Sequence, residues 1–213
     1  MNKQTVKITE IFLSLQGETD RVGLPTVFIR LSGCPLRCLW CDTEYAFSGG
    51  TVMSVDDIVD KAKSYNTKFV TVTGGEPLAQ ETSLHLLKSL ADAGFSISLE
   101  TGGMIDIAKV DPRVCVILDI KTPSSNEDSK NLWSNLELLK PTDQVKFVIG
   151  DKADYNWSKD KLKLITKTDI ILFSPVFEKL APTELAEWIL EDGILVRFQL
   201  QLHKILWKNS QGK

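Results

Sequence analysis

Short apolar runs alternate along this chain with segments whose apolar positions return every three or four residues. The runs Val27–Ser32, Phe69–Thr73, Ser96–Thr101, Val114–Ile120, Gln144–Ile149, Ile170–Ser174 and Leu195–Leu200 are rich in Val, Ile and Phe and read as strands. They are often apolar on both alternating sides, as parallel strands covered by helices are. The segments between them read as helices. One begins at Ser54, where Ser54-Val55-Asp56-Asp57 is an N-cap with an acid at the third helical position. A second runs from Gln80 to Ala93, with Leu84, Leu87 and Leu90/Ala91 on one stripe and Gly94 to end it. A third precedes Pro141, a fourth spans Tyr155–Thr166 and a fifth Thr183–Glu191. Strand–helix alternation predicts an α/β fold with a mostly parallel sheet and helices outside. A complete eightfold barrel needs about 250 residues. At 213 residues, the chain is expected to form an incomplete (β/α) barrel, as a single domain over 1–213. The polar run Ser124–Lys130 is expected to be a mobile loop.

Composition narrows the class of function. The formal net charge of −3 and pI near 5.5 argue against a nucleic-acid partner. No run approaches 18 apolar residues, and Met1–Lys7 lacks the apolar core of a signal peptide, so no membrane partner is expected. The 4 cysteines are grouped three and one, which is not a disulfide framework. A reducing, cytoplasmic setting fits.

Three of those cysteines carry the chemistry. Gly33-Cys34-Pro35-Leu36-Arg37-Cys38-Leu39-Trp40-Cys41-Asp42 supplies three thiolates in one loop, spaced C-x3-C-x2-C. Structural zinc and electron-transfer iron–sulfur clusters both take four ligands. A cubane held by three leaves one iron open to a small molecule. The competing reading is half a zinc site completed by Cys115, His85 or His203. However, Cys115 lies in an apolar strand, where cysteine acts as a small hydrophobe, and His85 lies on an amphipathic helix. The ends of six successive strands carry polar, Gly-rich or Pro-rich sequence, among them Thr73-Gly74-Gly75-Glu76-Pro77, Glu100-Thr101-Gly102-Gly103 and Asp119–Ser124. Parallel α/β folds bind ligands on that rim.

The cysteine spacing, with Trp40 before the last cysteine, resembles the cluster loop of the radical S-adenosylmethionine (SAM) superfamily. That resemblance implies a 4Fe–4S cluster on Cys34, Cys38 and Cys41, with SAM on the open iron. It also implies SAM contacts from Gly75 and Glu76 in the Gly-Gly-Glu-Pro turn. Glu100 is a candidate for the ribose hydroxyls, and Lys121 and Ser124 for SAM's carboxylate and ribose. Read by itself, the Gly-Gly-Glu-Pro run is equally a tight turn, and Glu100 a solvated strand-end acid.

A narrower resemblance spans Ile8 to Trp207. The runs Ile11–Thr19 and Gly23–Leu31, the cysteines, Asp42-Thr43, Thr73–Pro77 and Gln199–Lys204 together look like the 7-carboxy-7-deazaguanine synthases. This implies a carbon–nitrogen lyase that contracts 6-carboxy-5,6,7,8-tetrahydropterin to 7-carboxy-7-deazaguanine with loss of ammonia, in queuosine and 7-deazapurine biosynthesis. Leu15, Gln16 and Gly17 then match the segment that reads the pterin edge. Arg30 matches the cation facing the substrate carboxylate, and Thr73 a further contact. Thr43 matches a magnesium (Mg2+) ligand, and Gln201 and His203 a C-terminal strand lining the pocket. The resemblance further implies an electron donor such as flavodoxin or ferredoxin, and a homodimer.

The residues themselves leave alternatives open. Arg30 in an apolar strand needs a partner and could be a structural ion pair. Gln16-Gly17-Glu18 could be a hairpin turn, and His203 a core histidine. Glycyl-radical activating enzymes share the cysteine spacing and the Gly-Gly-Glu-Pro turn but act on a partner protein. The Leu15–Glu18 segment, Arg30 and the Gln201/His203 run favour a small anionic pterin instead.

Overall fold

The computed structural model describes residues 4–208 and 210–213. Its centre is a nine-stranded sheet. In chain order come β1 (Thr5–Leu15), β2 (Pro25–Leu31), β3 (Thr51–Ser54), α1 (Val55–Lys63), β4 (Phe69–Gly74), α2 (Thr82–Asp92), β5 (Ser96–Thr101) and β6 (Cys115–Ile120). Then follow β7 (Gln144–Ile149), α3 (Lys152–Lys161), β8 (Ile171–Pro175), α4 (Pro182–Asp192), β9 (Arg197–Phe198) and α5 (Leu202–Trp207). The strand order is β3-β1-β2-β4-β5-β6-β7-β8-β9. From β2 onward each neighbouring pair is parallel, while β1 runs antiparallel to both β2 and β3. The sheet is open, with β3 and β9 at its edges, so the expected incomplete barrel is what forms.

Strand faces explain both the core and the cavity. Val27, Ile29 and Leu31 of β2, Val70 and Val72 of β4, Ile97 and Leu99 of β5, and Val145, Phe147 and Ile149 of β7 join one core with Ile58 of α1 and Leu86, Leu87 and Leu90 of α2. Burying each such side chain contributes about 1.5–3 kcal/mol. The alternate positions face inward and are largely polar: Arg30, Thr73, Glu100, Asp119 and Lys146 line the interior. The expectation that strands would be apolar on both faces is corrected here. Only the helix-covered face is uniformly apolar, because the inner face surrounds a cavity.

Caps and strands mostly fall where the sequence places them. Ser54 Oγ accepts from Asp57 N at 3.2 Å and starts α1, while Gly94, with φ +89°, follows α2. Five expectations are corrected. The segment before Pro141 is a 3-10 helix, Trp133–Leu138. The fourth helix starts earlier, where Asp151 accepts from Asp154 N at 2.9 Å, and ends in a 3-10 turn at Leu162–Leu164. Leu195–Leu200 shrinks to Arg197–Phe198, an edge strand that pairs only with β8. Beyond it, Gln201 and His203 stand at the start of α5 rather than on a strand. The polar run Ser124–Lys130 is also built rather than free, carrying 3-10 turns at Pro123–Ser125 and Asp128–Lys130.

Candidate active site

A cavity of about 430 Å³ is lined from the carboxyl ends and inner faces of the strands, within the size range of small-molecule sites. Cys34, Cys38 and Cys41 all face it, each partly exposed. Among the described residues, no group of three or more His, Cys, Asp or Glu converges closely enough to hold a single metal ion. Mononuclear zinc needs such convergence on one centre. A cubane instead takes each thiolate on a different iron, so three spaced thiols on one wall fit a cluster. Burial pushes all three thiols above the ordinary value, Cys38 to about 11. Iron must therefore displace their protons as it binds.

The loop that carries these thiols is tied down. Leu39 N donates to Ser125 O at 3.1 Å, and Trp40 Nε1 donates to Ser124 Oγ at 3.2 Å. Arg37 N donates to a Glu127 carboxylate oxygen, and the Arg37 guanidinium lies 4.3 Å from the centroid of Phe47. These contacts order the polar run after β6, because its oxygens accept from the loop's amides. Beside the loop, Gly74 adopts φ +145°. A Cβ on Gly75 would lie 2.2 Å from Gly33 O and 2.8 Å from Cys34 Cβ. Only glycine allows this approach of backbone to cluster loop.

The inner wall is a network of charges. Lys146 Nζ lies 2.7 Å from Glu18 Oε2 and 3.3 Å from Asp119 Oδ2, and Lys121 Nζ lies 3.2 Å from Asp119 Oδ2. Gln201 Nε2 donates to Glu18 Oε1 at 2.9 Å. Burial alone would raise the Glu18 carboxyl, yet the Lys146 and His203 charges and two hydrogen bonds bring it down to about 2. Glu100 accepts from Thr73 Oγ1 at 3.0 Å, and Gln16 Nε2 sits 3.4 Å from its other oxygen. Burial, with the neighbouring Glu18, holds the Glu100 carboxyl above its usual range despite Lys146. Two carboxylates set apart in this way are the usual arrangement of a site that handles protons.

Nearly all the candidate residues meet at this cavity. Leu15, Gln16, Gly17, Arg30, Thr43 and Thr73 line it, as do Gly75, Glu100, Lys121, Gln201 and His203. Arg30 is also an ion pair, with Nε 2.8 Å from Glu10 Oε1, so the structural and cavity readings hold together. Thr43 does not cap the following 3-10 helix; its hydroxyl donates to Asp42 Oδ1 at 2.8 Å. Two candidates are not brought to the cavity wall. Glu76 is buried and its oxygens accept from Leu78 N, Thr101 Oγ1 and Gly102 N, which makes it a brace for the turn. The Ser124 hydroxyl donates to Asp154 and accepts from Trp40. Lys146 was not among the sequence candidates, and Glu18 entered only as the end of the Leu15–Glu18 segment. Lys146 carried the same signal as Arg30, a lone charge in an apolar strand. The terminal residue, Lys213, also reaches the cavity.

Comparison with known proteins agrees with this geometry. A family profile for the Radical SAM superfamily matches residues 28–180. The chain is 44% identical to the 7-carboxy-7-deazaguanine synthase of Chlorobaculum tepidum, over 95% of this chain and 94% of the relative. It is 41% identical to that of Koribacter versatilis, over 95% and 97%. Among solved structures, QueE from Escherichia coli superposes with a TM-score of 0.79 at 26% identity, covering 93% of this chain and 95% of that one. Streptococcus suis SuiB bound to S-adenosylmethionine shares the fold, with a TM-score of 0.57 at 14% identity over 82% of this chain and 47% of that one. A three-cysteine loop, a Gly-Gly turn packed on it and a polar inner wall thus stand in a chain that belongs to the 7-carboxy-7-deazaguanine synthase family of the radical SAM superfamily.

Proposed function

We propose that this chain is a radical SAM carbon–nitrogen lyase that converts 6-carboxy-5,6,7,8-tetrahydropterin to 7-carboxy-7-deazaguanine with release of ammonia. The observation that carries the reading is the convergence, on one cavity, of three thiols, with no fourth among the described residues that line it, and an inner wall bearing both cations and carboxylates. Cys34, Cys38 and Cys41 would hold a 4Fe–4S cluster, which together with S-adenosylmethionine supplies the hydrogen abstraction that starts the ring contraction. Gly75 lets the backbone approach SAM, and Lys121, placed 5.7 Å from the Trp40 ring centroid, lies between the cluster loop and the inner wall. Arg30 offers its guanidinium to the substrate carboxylate, for which a planar fork is suited. Leu15, Gln16, Gly17, Thr73, Gln201 and His203 enclose the pterin. Loss of ammonia needs a proton for the leaving nitrogen. Glu100, raised by burial and joined to Thr73 and Gln16, can hold a proton at its carboxyl. The one domain over 1–213 would perform the reaction.

The test is anaerobic. With iron and sulfide reconstituted, and SAM, reductant and the carboxytetrahydropterin supplied, the deazaguanine acid should form. An intact cluster that yields no such product would overturn the reading, and modification of a glycine in a partner protein would favour an activating enzyme.

Magnesium is part of this proposal. Asp42 and Thr43 place a carboxylate and a hydroxyl beside each other on the cavity wall, and Mg2+ takes hard oxygen ligands while bridging to an anionic substrate. Turnover should rise when Mg2+ is restored after chelation, and Thr43→Ala should blunt that rise at unchanged iron content. Full activity in chelated buffer would remove the second metal. A flavodoxin or ferredoxin as electron donor and a homodimeric assembly complete the proposal. No helix of the described residues is long and apolar enough to cross a membrane.

A further inference from the structure

The open sheet leaves a seam. Strands β3 and β9 are its edges, and neither pairs with the other. The connection after β1 and the segment after β9 meet across the interior, where Leu202 N donates to Gly17 O at 2.9 Å. The remaining contacts there run through side chains. The Gln199 amide takes both groups of Thr19, its Oε1 accepting from Thr19 N at 2.7 Å and its Nε2 donating to Thr19 O at 2.7 Å. One residue earlier, Glu18 joins three elements. Its Oε1 accepts from Gln201 Nε2 at 2.9 Å, its Oε2 meets Lys146 Nζ of β7 at 2.7 Å, and its backbone belongs to the β1–β2 connection.

What this seam holds in place is the cavity wall. Gly17, Glu18, Gln201 and His203 all line the pocket. A Cβ on Gly17 would lie 2.1 Å from His203 Nδ1, so the imidazole rests directly on that glycine. Where strands pair, a wall is fixed by a ladder. Here it is fixed by side-chain contacts to the sheet: Gln16 to Thr71 of β4 and Asp20 to Gln144 of β7 hold the flanks, and Lys146 of β7 is the charged anchor that meets Glu18 itself. Both partners of the pair are buried, with Glu18 at 8% and Lys146 at 8% exposure. Removing one partner of such a pair leaves an uncompensated charge and frees the other.

We propose that Lys146 is a positioning residue for the substrate, clamping Glu18 so that Gln201 and His203 are presented to the pocket at a fixed place. The inference rests on the pterin reading of the site. The Glu18 contact of Lys146 acts on the wall around Gly17, Gln201 and His203, while its second contact, to Asp119, runs toward Lys121 beside the cluster loop.

The experiment compares Lys146→Met, Lys146→Arg, Glu18→Gln and the Glu18→Gln/Lys146→Met pair, each with reconstituted cluster. Lys146→Met should raise the KM for the carboxytetrahydropterin by about tenfold to a hundredfold at unchanged iron content, and Glu18→Gln, which leaves the Lys146–Asp119 contact in place, should do so with the KM for SAM unchanged. Lys146→Arg should recover most of the loss. The double variant should be no worse than the poorer single one, because the two residues act as a unit. A second readout needs no substrate: amide hydrogen exchange at Thr19 and Leu202 should quicken by about tenfold or more in Lys146→Met, as closing contacts are lost. An unchanged substrate KM in an active enzyme, multiplying effects in the double variant, or unaltered exchange at the seam would each overturn the clamp. Should the wild type make no deazaguanine acid while the seam amides still respond, the pterin reading fails and the clamp stands as a device for another ligand.

Discussion

Cys34, Cys38 and Cys41 differ from Cys115 in what surrounds the sulfur. The first three face the cavity, whereas Cys115 begins β6 at the opposite end of the parallel strands and its Sγ donates to Thr142 O at 3.1 Å. Replacing any of the three with Ala should abolish cluster assembly, measured as bound iron and sulfide, while Cys115→Ala should retain it. Iron lost from Cys115→Ala would mean that a fourth protein ligand exists. Arg30 is decided by both its partners. It sits at 16% side-chain exposure against Glu10, with its guanidinium carbon 5.9 Å from the Tyr45 ring centroid. Arg30→Ala removes a half of that pair and the cation offered to the cavity, a loss of about 3–5 kcal/mol. Substrate affinity should fall by roughly two to four orders of magnitude and SAM affinity far less. Equal losses for both ligands in a binding titration would count against the placement of Arg30 at the substrate end.

At the scale of elements, the turn after β4 and the cysteine loop after β2 are adjacent because their strands pair in parallel, with Leu31 opposite Gly74. Gly75 N donates to Leu31 O at 3.1 Å and Glu76 N to Gly33 O at 2.9 Å, so the two loops share backbone hydrogen bonds. In Gly75→Ala the added carbon would meet Gly33 carbonyl atoms and Cys34 Cβ, none of which is the end of a flexible side chain. That variant should fold but assemble substantially less cluster, with a stability loss of about 1–3 kcal/mol seen in thermal melts. Normal iron content at normal stability would show that the loops are less tightly joined. Both loops were readable as motifs from the chain, since cysteine spacing and paired glycines are local signals. The bounds of β9 and the helix α5 were not, because an edge strand with one neighbour and a six-residue helix have weak periodicity and are set by what they pack on.

Across the whole molecule, the buried charges tie stability to pH. Glu18 is drawn from its ordinary 4.5 to about 2 by the Lys146 and His203 charges and its hydrogen bonds, against the opposing effect of burial. A depressed carboxyl contributes stability that is fully present above the unfolded value and is lost as pH falls through the folded one. The window therefore runs from about 4.5 down to about 2, with a contribution on the order of a few kcal/mol. Glu18→Gln should melt at lower temperature than the wild type at pH 7, and the two should converge as pH approaches 2. A constant gap in Tm across that range would show that the pair is not what stabilises the seam. The chain alone determined the alternation of strands and helices, the three-thiol loop and the family, because these depend on period, spacing and residue type over short distances. Only the tertiary structure decided which face of each strand is polar, that Glu76 and Ser124 brace loops instead of facing the cavity, and that Glu18 and Lys146 meet. Those outcomes depend on contacts between separate elements, from Glu76 with Thr101 to Glu18 with Lys146, which the curling of the sheet brings together and no local pattern encodes.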